Sequence, residues 1–134
     1  MIRKIFSILV ILLAAAGCNR YDIDEILLEK SEISLTWKGQ DQFIYDPVYC
    51  QFAHNSTTNE YRAFDDRLSD WFIVRCNARP DTEGQTLTAD ITWTSSNSTK
   101  SEKSLEFTVH RTDSKGRIWL WNKSKSIGIV IKNL

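Results

Sequence analysis

Between Leu87 and Trp93 every second residue is apolar (Leu87, Ala89, Ile91, Trp93), and Thr86, Thr88, Asp90 and Thr92 fill the places between. A period of two sends alternate side chains to opposite faces of an extended strand and suits no helix. The same alternation returns in Ile33, Leu35 and Trp37, and in Leu105, Phe107 and Val109. Trp71–Cys76, Arg117–Trp121 and Ile127–Ile131 are compact apolar runs of strand length, and Phe43–Phe52 is a further run bent by Pro47. Turn chemistry separates them: Pro80 and Gly84 in one connection, Asp113 to Gly116 in another. The segment from His54 to Asp70 is polar and reads as a long loop, with room for a helical turn around Ala63 to Leu68. Thr94 to Ser104 reads as a second loop. No amphipathic helix of three turns is evident, so about seven short strands predict an all-β sandwich or small barrel.

At 134 residues the chain has room for one modest core, and a composition 42% hydrophobic and 25% charged excludes a disordered chain. The first seventeen residues carry a different pattern from the rest. Arg3 and Lys4 form a basic start, and Ile5 to Ala16 is a nearly unbroken apolar stretch. It is shorter than the roughly 20 residues that span a bilayer and has the length of an export signal. Small residues then lead to Ala15-Ala16-Gly17-Cys18.

That tetrapeptide resembles the lipobox of bacterial lipoprotein precursors, in which an aliphatic residue and two small ones precede an obligatory cysteine. Ala15 stands where leucine is commonest; Ala16, Gly17 and Cys18 fit. The resemblance implies that residues 1–17 are a cleaved signal peptide. It also implies that Cys18 receives a diacylglyceryl thioether and an acylated amine, anchoring the chain in a membrane. Each buried methylene contributes about 0.8 kcal/mol, so two or three acyl chains hold what one would not. Asn19, rather than an aspartate, after the cysteine implies the outer membrane under the enterobacterial sorting rule. The acidic Tyr21 to Glu25 is loosely similar to a surface-export label. Residues 18–30 would then be a lipidated tether, and residues 31–134 the domain.

Within that domain, Ser31 to Gly39 as an opening strand and turn, with Trp71 near the middle, is similar to the BACON-type sandwich domains of bacterial carbohydrate-processing lipoproteins. The likeness implies an immunoglobulin-like β-sandwich of about seven strands. Trp71 lies five residues before Cys76, which departs from the antibody arrangement.

With Cys18 lipidated, Cys50 and Cys76 remain. An oxidising compartment favours joining them, and closing that loop would contribute about 3 kcal/mol in the chain-entropy model. Two buried free thiols or a metal pair are the alternatives. Zinc wants four placed ligands, and His54 and His110 show no clustered spacing with these sulfurs, so no metal is expected.

Removing Arg3 and Lys4 with the leader leaves 15 basic and 17 acidic side chains, a balance that gives no electrostatic case for nucleic acid. No phosphate-cradling glycine motif or nucleophile-elbow sequence is present, and no cofactor is expected. His54 and His110 each lie near serines and aspartates in sequence, but such pairing arises by chance in a chain this rich in both, so surface histidines are expected and no enzyme. Asp65, Asp66 and Asp70 lack the alternation and glycine of a calcium loop. Five tryptophans are the main binding clue. Trp37 and Trp93 fall in phase with core positions. Trp119 and Trp121 share a strand face and, with Trp71, are the candidate ligand-binding aromatics, since flat rings stack on sugars. Three expectations follow, in descending order. The first is a non-catalytic envelope module binding glycan or protein. The second is a structural or assembly subunit or an immunity-type inhibitor of an envelope complex. The third is a hydrolase.

Overall fold

The computed structural model describes residues 33–134, which form nine strands and no helix. They are β1 (Ser34–Trp37), β2 (Gln40–Ile44), β3 (Cys50–Asn55), β4 (Glu60–Asp65), β5 (Trp71–Cys76), β6 (Thr86–Ser95), β7 (Ser98–Thr112), β8 (Arg117–Asn122) and β9 (Ile127–Lys132). The all-β expectation holds. The two-sheet, seven-strand arrangement is replaced by one antiparallel ladder in the order β2-β1-β9-β8-β7-β6-β5-β4-β3. The leader, Cys18 and the tether lie outside the described residues.

Of the two additional strands, β4 comes from a segment whose polarity suggested a loop, and the other arises because the Phe43–Phe52 run divides around Pro47 into β2 and β3; the polar Thr94 to Ser104 lengthens β6 and β7. Glu60–Asp65 alternates buried Tyr61, Ala63 and Asp65 with exposed Arg62 and Phe64, so a strand forms where a helical turn was expected. Thr94 to Ser104 is the tip of a long hairpin, with Ser96 and Asn97 both at positive φ in the two-residue turn that right-twisted strands prefer. Its strands are polar because their outer face meets water, not because they lack partners.

Connectivity forces the sheet to curl. β2 and β3 stand at opposite ends of the ladder, yet only five residues, 45–49, join them. A flat nine-stranded sheet would separate its edges by roughly 38 Å, and that connection spans at most about 20 Å. Register shifts in the β6–β7 and β7–β8 pairings, between Ala89 and Ile91 and between Val109 and Arg111, supply part of the bend. Once curled, β2 lies across β5 and β6. Phe43 meets Phe72 edge-on at 5.3 Å, and the Trp93 indole nitrogen donates to Gln42 Oε1 at 3.1 Å. On the opposite side Tyr61 of β4 donates its hydroxyl to Asn133 just past β9 at 2.5 Å, and Asn133 Nδ2 donates to the Pro80 carbonyl at 2.8 Å.

The interior is filled. Trp93, Tyr61, Phe72, Phe107, Leu35 and Ile91 are among its fully buried side chains. Trp93 was expected there; Trp37 packs against it with ring centroids 5.6 Å apart and is half-buried. β9 is unusual in being buried on both faces: Ile127, Ile129 and Ile131 point into the core, and Gly128 and Val130 point out yet are also covered.

The β7–β8 turn closes against the chain end. Gly116 has φ +86°, and a Cβ there would lie 2.7 Å from the Asn133 carbonyl oxygen, which belongs to rigid backbone. Gly116→Ala is therefore expected to destabilise the protein by about 1–3 kcal/mol, read as a lowered urea midpoint at unchanged slope. An unchanged midpoint would show that the turn does not require glycine.

Candidate functional site

The strand edges that fail to meet leave an opening in the wall. Along the outer edge of β2 runs a cleft of about 650 Å³, bounded on its other side by the β4–β5 turn and the tip of the β6–β7 hairpin. Gln42, Ile44 and Pro47 line one wall, and Asp65, Leu68 and Ser96 the other. Among the described residues β2 has β1 as its sole ladder partner. Tyr45 N–H donates to the Ile33 carbonyl, so by antiparallel alternation Ile44 directs its own N–H and C=O away from β1; the carbonyl accepts from the Cys50 thiol at 3.9 Å.

Asp65 builds the opposite wall. Its Oδ1 accepts from the backbone N–H groups of Arg67 at 2.9 Å and Leu68 at 3.0 Å, while its own N–H donates to the Asp70 carbonyl. Burial alone would raise its carboxyl pKa. The two backbone donors and the Arg67 guanidinium outweigh that and hold it below the ordinary 3.8. The turn so formed projects Leu68 outward. Asp46 acts similarly on the near wall, its carboxylate accepting from Val48 N–H at 2.8 Å. Asp70 Oδ1 accepts from Ser96 N–H at 3.1 Å, tying the two hairpin ends together.

Ile44 and Leu68 in the cleft lining are exposed, as are Val48 and Tyr49, which follow Pro47 in the β2–β3 connection; Phe64 and Leu134 are the other exposed large apolar residues among those described. Arg67 stacks over Tyr49 at 4.8 Å. Four aspartates, at 41, 46, 65 and 70, face a single arginine in the lining, so the cleft is net acidic.

Trp71, expected as a ligand-binding aromatic, is half-buried at this same end, paired across the ladder with exposed Phe64. Trp119 and Trp121 do not make an open platform. Trp119 is buried beside Val130, with the guanidiniums of Arg111 and Arg117 5.0 and 5.1 Å from its ring centre, and Trp121 is half-buried next to it. The sequence showed that the two share a face; it did not show that the face is covered.

Cys50 and Cys76 are buried, separate thiols, which corrects the expected disulfide. Cys50 lies opposite Asp65, and Cys76 donates its N–H to the Asn59 carbonyl. Six residues of β4 separate those points, about 20 Å, against the roughly 7 Å limit between bridged Cα atoms. Burial pushes both thiols up in pKa, that of Cys76 to about 12.

The histidines play structural parts. His54 stacks on Tyr61 at 4.3 Å, and its Nδ1 accepts from Leu134 N–H at 3.1 Å. Burial, and then the nearby Arg79 cation, hold its imidazole below the ordinary 6.5, so it stays neutral and able to accept. His110 is exposed, with its ring 6.3 Å from that of Trp121. Among the described residues no group of three or more His, Cys, Asp or Glu side chains is arranged to hold a metal ion. The cleft, by contrast, was not foreseen. Its sequence signals, the exposed Val48-Tyr49 after Pro47 and Leu68 within a polar turn, lie far apart in the chain and acquire meaning together through the curl.

No known protein family, curated protein or solved structure matches this chain. What the cleft can do chemically is bind. It offers a strand edge, an apolar rim and a negative lining.

Two outcomes test this geometry. Asp65→Ala should cost about 1–3 kcal/mol, because two backbone donors lose a charged acceptor. The Asp65 contribution is complete above the unfolded value of 3.8 and is lost as the pH falls through the lower folded value. The gap in urea midpoint between wild type and Asp65→Ala should therefore narrow from pH 7 to pH 3; a constant gap would remove the carboxylate's role. Separately, neither Cys50 nor Cys76 should react with iodoacetamide until denaturant is added, measured by intact mass.

Proposed function

We propose that this chain is a lipid-anchored protein of the bacterial cell envelope that acts by binding a polypeptide partner in the β2 cleft. The address follows from Arg3, Lys4, the apolar leader and the lipobox ending at Cys18, with Asn19 favouring the outer membrane. The binding reading is carried by one observation above the others. Ile44 and Leu68, two of the six exposed large apolar residues among those described, line a cleft whose wall is an open strand edge, and exposed Val48 and Tyr49 follow directly on its lining residue Pro47. An extended peptide adds to such an edge through main-chain hydrogen bonds, and flanking pockets select its side chains. The net negative lining favours a segment that carries lysine or arginine among apolar residues. This deepens the expectation of an envelope binding module and merges it with the assembly-subunit reading, since both require a protein on this surface.

A glycan ligand is favoured by Trp71 beside Phe64, two aromatic side chains on the outer face at the same end. It ranks second because the half-buried Trp71 offers little free ring and the cleft offers more backbone than aromatic surface.

The decisive experiment is site-specific photo-cross-linking in whole cells of the source bacterium. A cross-linker at Val48 or Leu68 should trap one dominant protein, and a cross-linker at the exposed Thr57, in the β3–β4 turn at the other end of β4, should not. Leu68→Asp with Val48→Asp should abolish capture while changing stability by no more than about 0.5 kcal/mol, since both side chains are exposed. Capture that survives the double substitution would place the partner elsewhere. Binding to envelope polysaccharide that is lost in Trp71→Ala, with no protein cross-linked, would select the glycan reading. Intact mass of the protein from native membranes should show Cys18 diacylglycerated and residues 1–17 removed.

A further inference from the structure

At its other end the ladder stops at β3, whose free edge lacks the protection such strands normally carry. Among the described residues β4 is its sole ladder partner. Asp66 N–H donates to the Tyr49 carbonyl, so by antiparallel alternation Gln51, Ala53 and Asn55 bond to β4. Phe52 and His54 therefore direct their N–H and C=O groups outward from the edge. Natural edge strands are blunted there by charge, proline or a bulge. β3 has no charged residue and no proline, and it pairs with β4 without a register shift. It lies within residues 47–59, the longest run without Asp, Glu, Lys or Arg among the described residues. Its outer-face side chains, Gln51, Ala53 and Asn55, are exposed.

We infer that β3 pairs antiparallel with β3 of a second copy of this chain, about a two-fold axis through Ala53. Such a contact is isologous, the same patch serving on both copies, so the strand must be its own complement. With the axis at Ala53 it is. Phe52 faces the partner's His54 at a hydrogen-bonded position, and symmetry repeats the pair, so every main-chain donor and acceptor left open at these two residues is used. Ala53 faces the partner's Ala53 at a non-hydrogen-bonded position, where Cα atoms approach to about 4.5 Å and a methyl group fits. Gln51 faces the partner's Asn55, and their free amide atoms match. Gln51 Nε2 donates to Asp66 Oδ2 at 3.5 Å, which leaves Oε1 to accept. Asn55 Oδ1 accepts from the N–H groups of Thr57 at 3.0 Å and Thr58 at 3.3 Å, which leaves Nδ2 to donate. An axis at Phe52 would instead call on the Cys50 N–H, which already donates to the Asp46 carbonyl. No like charges meet across the seam, which would oppose any strand pairing with itself.

The pairing also covers apolar surface that the single chain leaves half-open. Phe52 stacks on Tyr61 with ring centres 6.3 Å apart yet is only half-buried, because nothing lies beyond it at the edge. Leu134 is 69% exposed, and its N–H donates to His54 Nδ1, so it stands beside the partner's Phe52. Two strands of this length make a small contact, below the roughly 1,200 Å² of stable complexes, so association is reversible and depends on concentration. No β3 residue lines the β2 cleft, so the dimer and the bound peptide are separate claims.

Disulfide trapping of the full-length protein in mild detergent tests the register directly. Under copper–phenanthroline oxidation, Ala53→Cys should form a linked dimer at least about tenfold faster than wild type, because the two sulfurs meet at the axis within bridging distance. Gln51→Cys alone and Asn55→Cys alone should stay at the wild-type level, since each is displaced from its own copy by four residues, about 13 Å. Mixing those two variants should link one of each. Cys50 and Cys76 are buried, and the wild type reports any background from Cys18. A second variant needs no added thiol: Ala53→Lys sets two cations together at the axis and should shift sedimentation at high concentration to monomer while leaving the urea midpoint unchanged, since the position is exposed. Ala53→Cys linking no faster than wild type, or Gln51→Cys alone linking as fast as Ala53→Cys, would overturn the inference. So would a wild type that sediments as a monomer at every concentration. A foreign protein captured at Leu68 and a dimer linked at position 53 are products of different mass, so the proposed function and this pairing can each fail while the other stands.

Discussion

The five-residue connection between β2 and β3 governs the architecture. It ties together the two edges of a nine-stranded ladder and leaves the sheet no option but to curl on itself. Every long-range contact that defines the interior follows from that closure. Phe43 reaches Phe72, Gln42 reaches Trp93, and Tyr61 reaches Asn133, because the sheet brings its first and last strands over its middle ones. Large aromatic and aliphatic side chains then fill the space.

The same constraint creates the cleft. β2 and β3 are joined by a turn and form no ladder with each other, the Cys50 thiol alone reaching the Ile44 carbonyl at 3.9 Å, so the sheet is almost closed and the β2 edge stays open. Natural sheets protect open edges with charge, turns or covering segments. Here Asp41, Asp46 and the Asp65 turn surround the edge with charge, and Ile44 and Leu68 leave apolar surface exposed beside it. The opposite wall, β8, β9 and β1, meets the problem differently: its outer face carries indoles and a valine that are covered, not charged residues facing water.

Strand content was legible in the sequence wherever alternation was strong. β6 from Leu87 to Trp93 and β7 around Phe107 read clearly, since one face is apolar and the other polar. β4 was missed because Arg62, Phe64 and Asp65 disturb the pattern. Its inward side chains include an aspartate that is buried only because the turn beyond it supplies two N–H donors. The outer arm of the β6–β7 hairpin was missed because serine, threonine and lysine there are ordinary outward residues of a strand. Of the site residues, Trp71 lies at the cleft end, Trp119 is buried, and the Cys50–Cys76 pair fails on distance alone. Sequence separation could not reveal that these cysteines sit at opposite ends of β3 and β5, with β4 between them.

By itself the sequence determined the period of its strands, the turn positions and the resemblance of its first eighteen residues to a lipoprotein signal, because each depends on residues adjacent or nearly adjacent in the chain. Tertiary structure alone decided how many strands share one sheet, which edge stays open, which tryptophans meet solvent and which thiols stay apart. Those outcomes depend on register and closure. Register is fixed by the sum of many pairings between distant segments, and closure by a connection whose shortness acquires meaning only once the strand order is known.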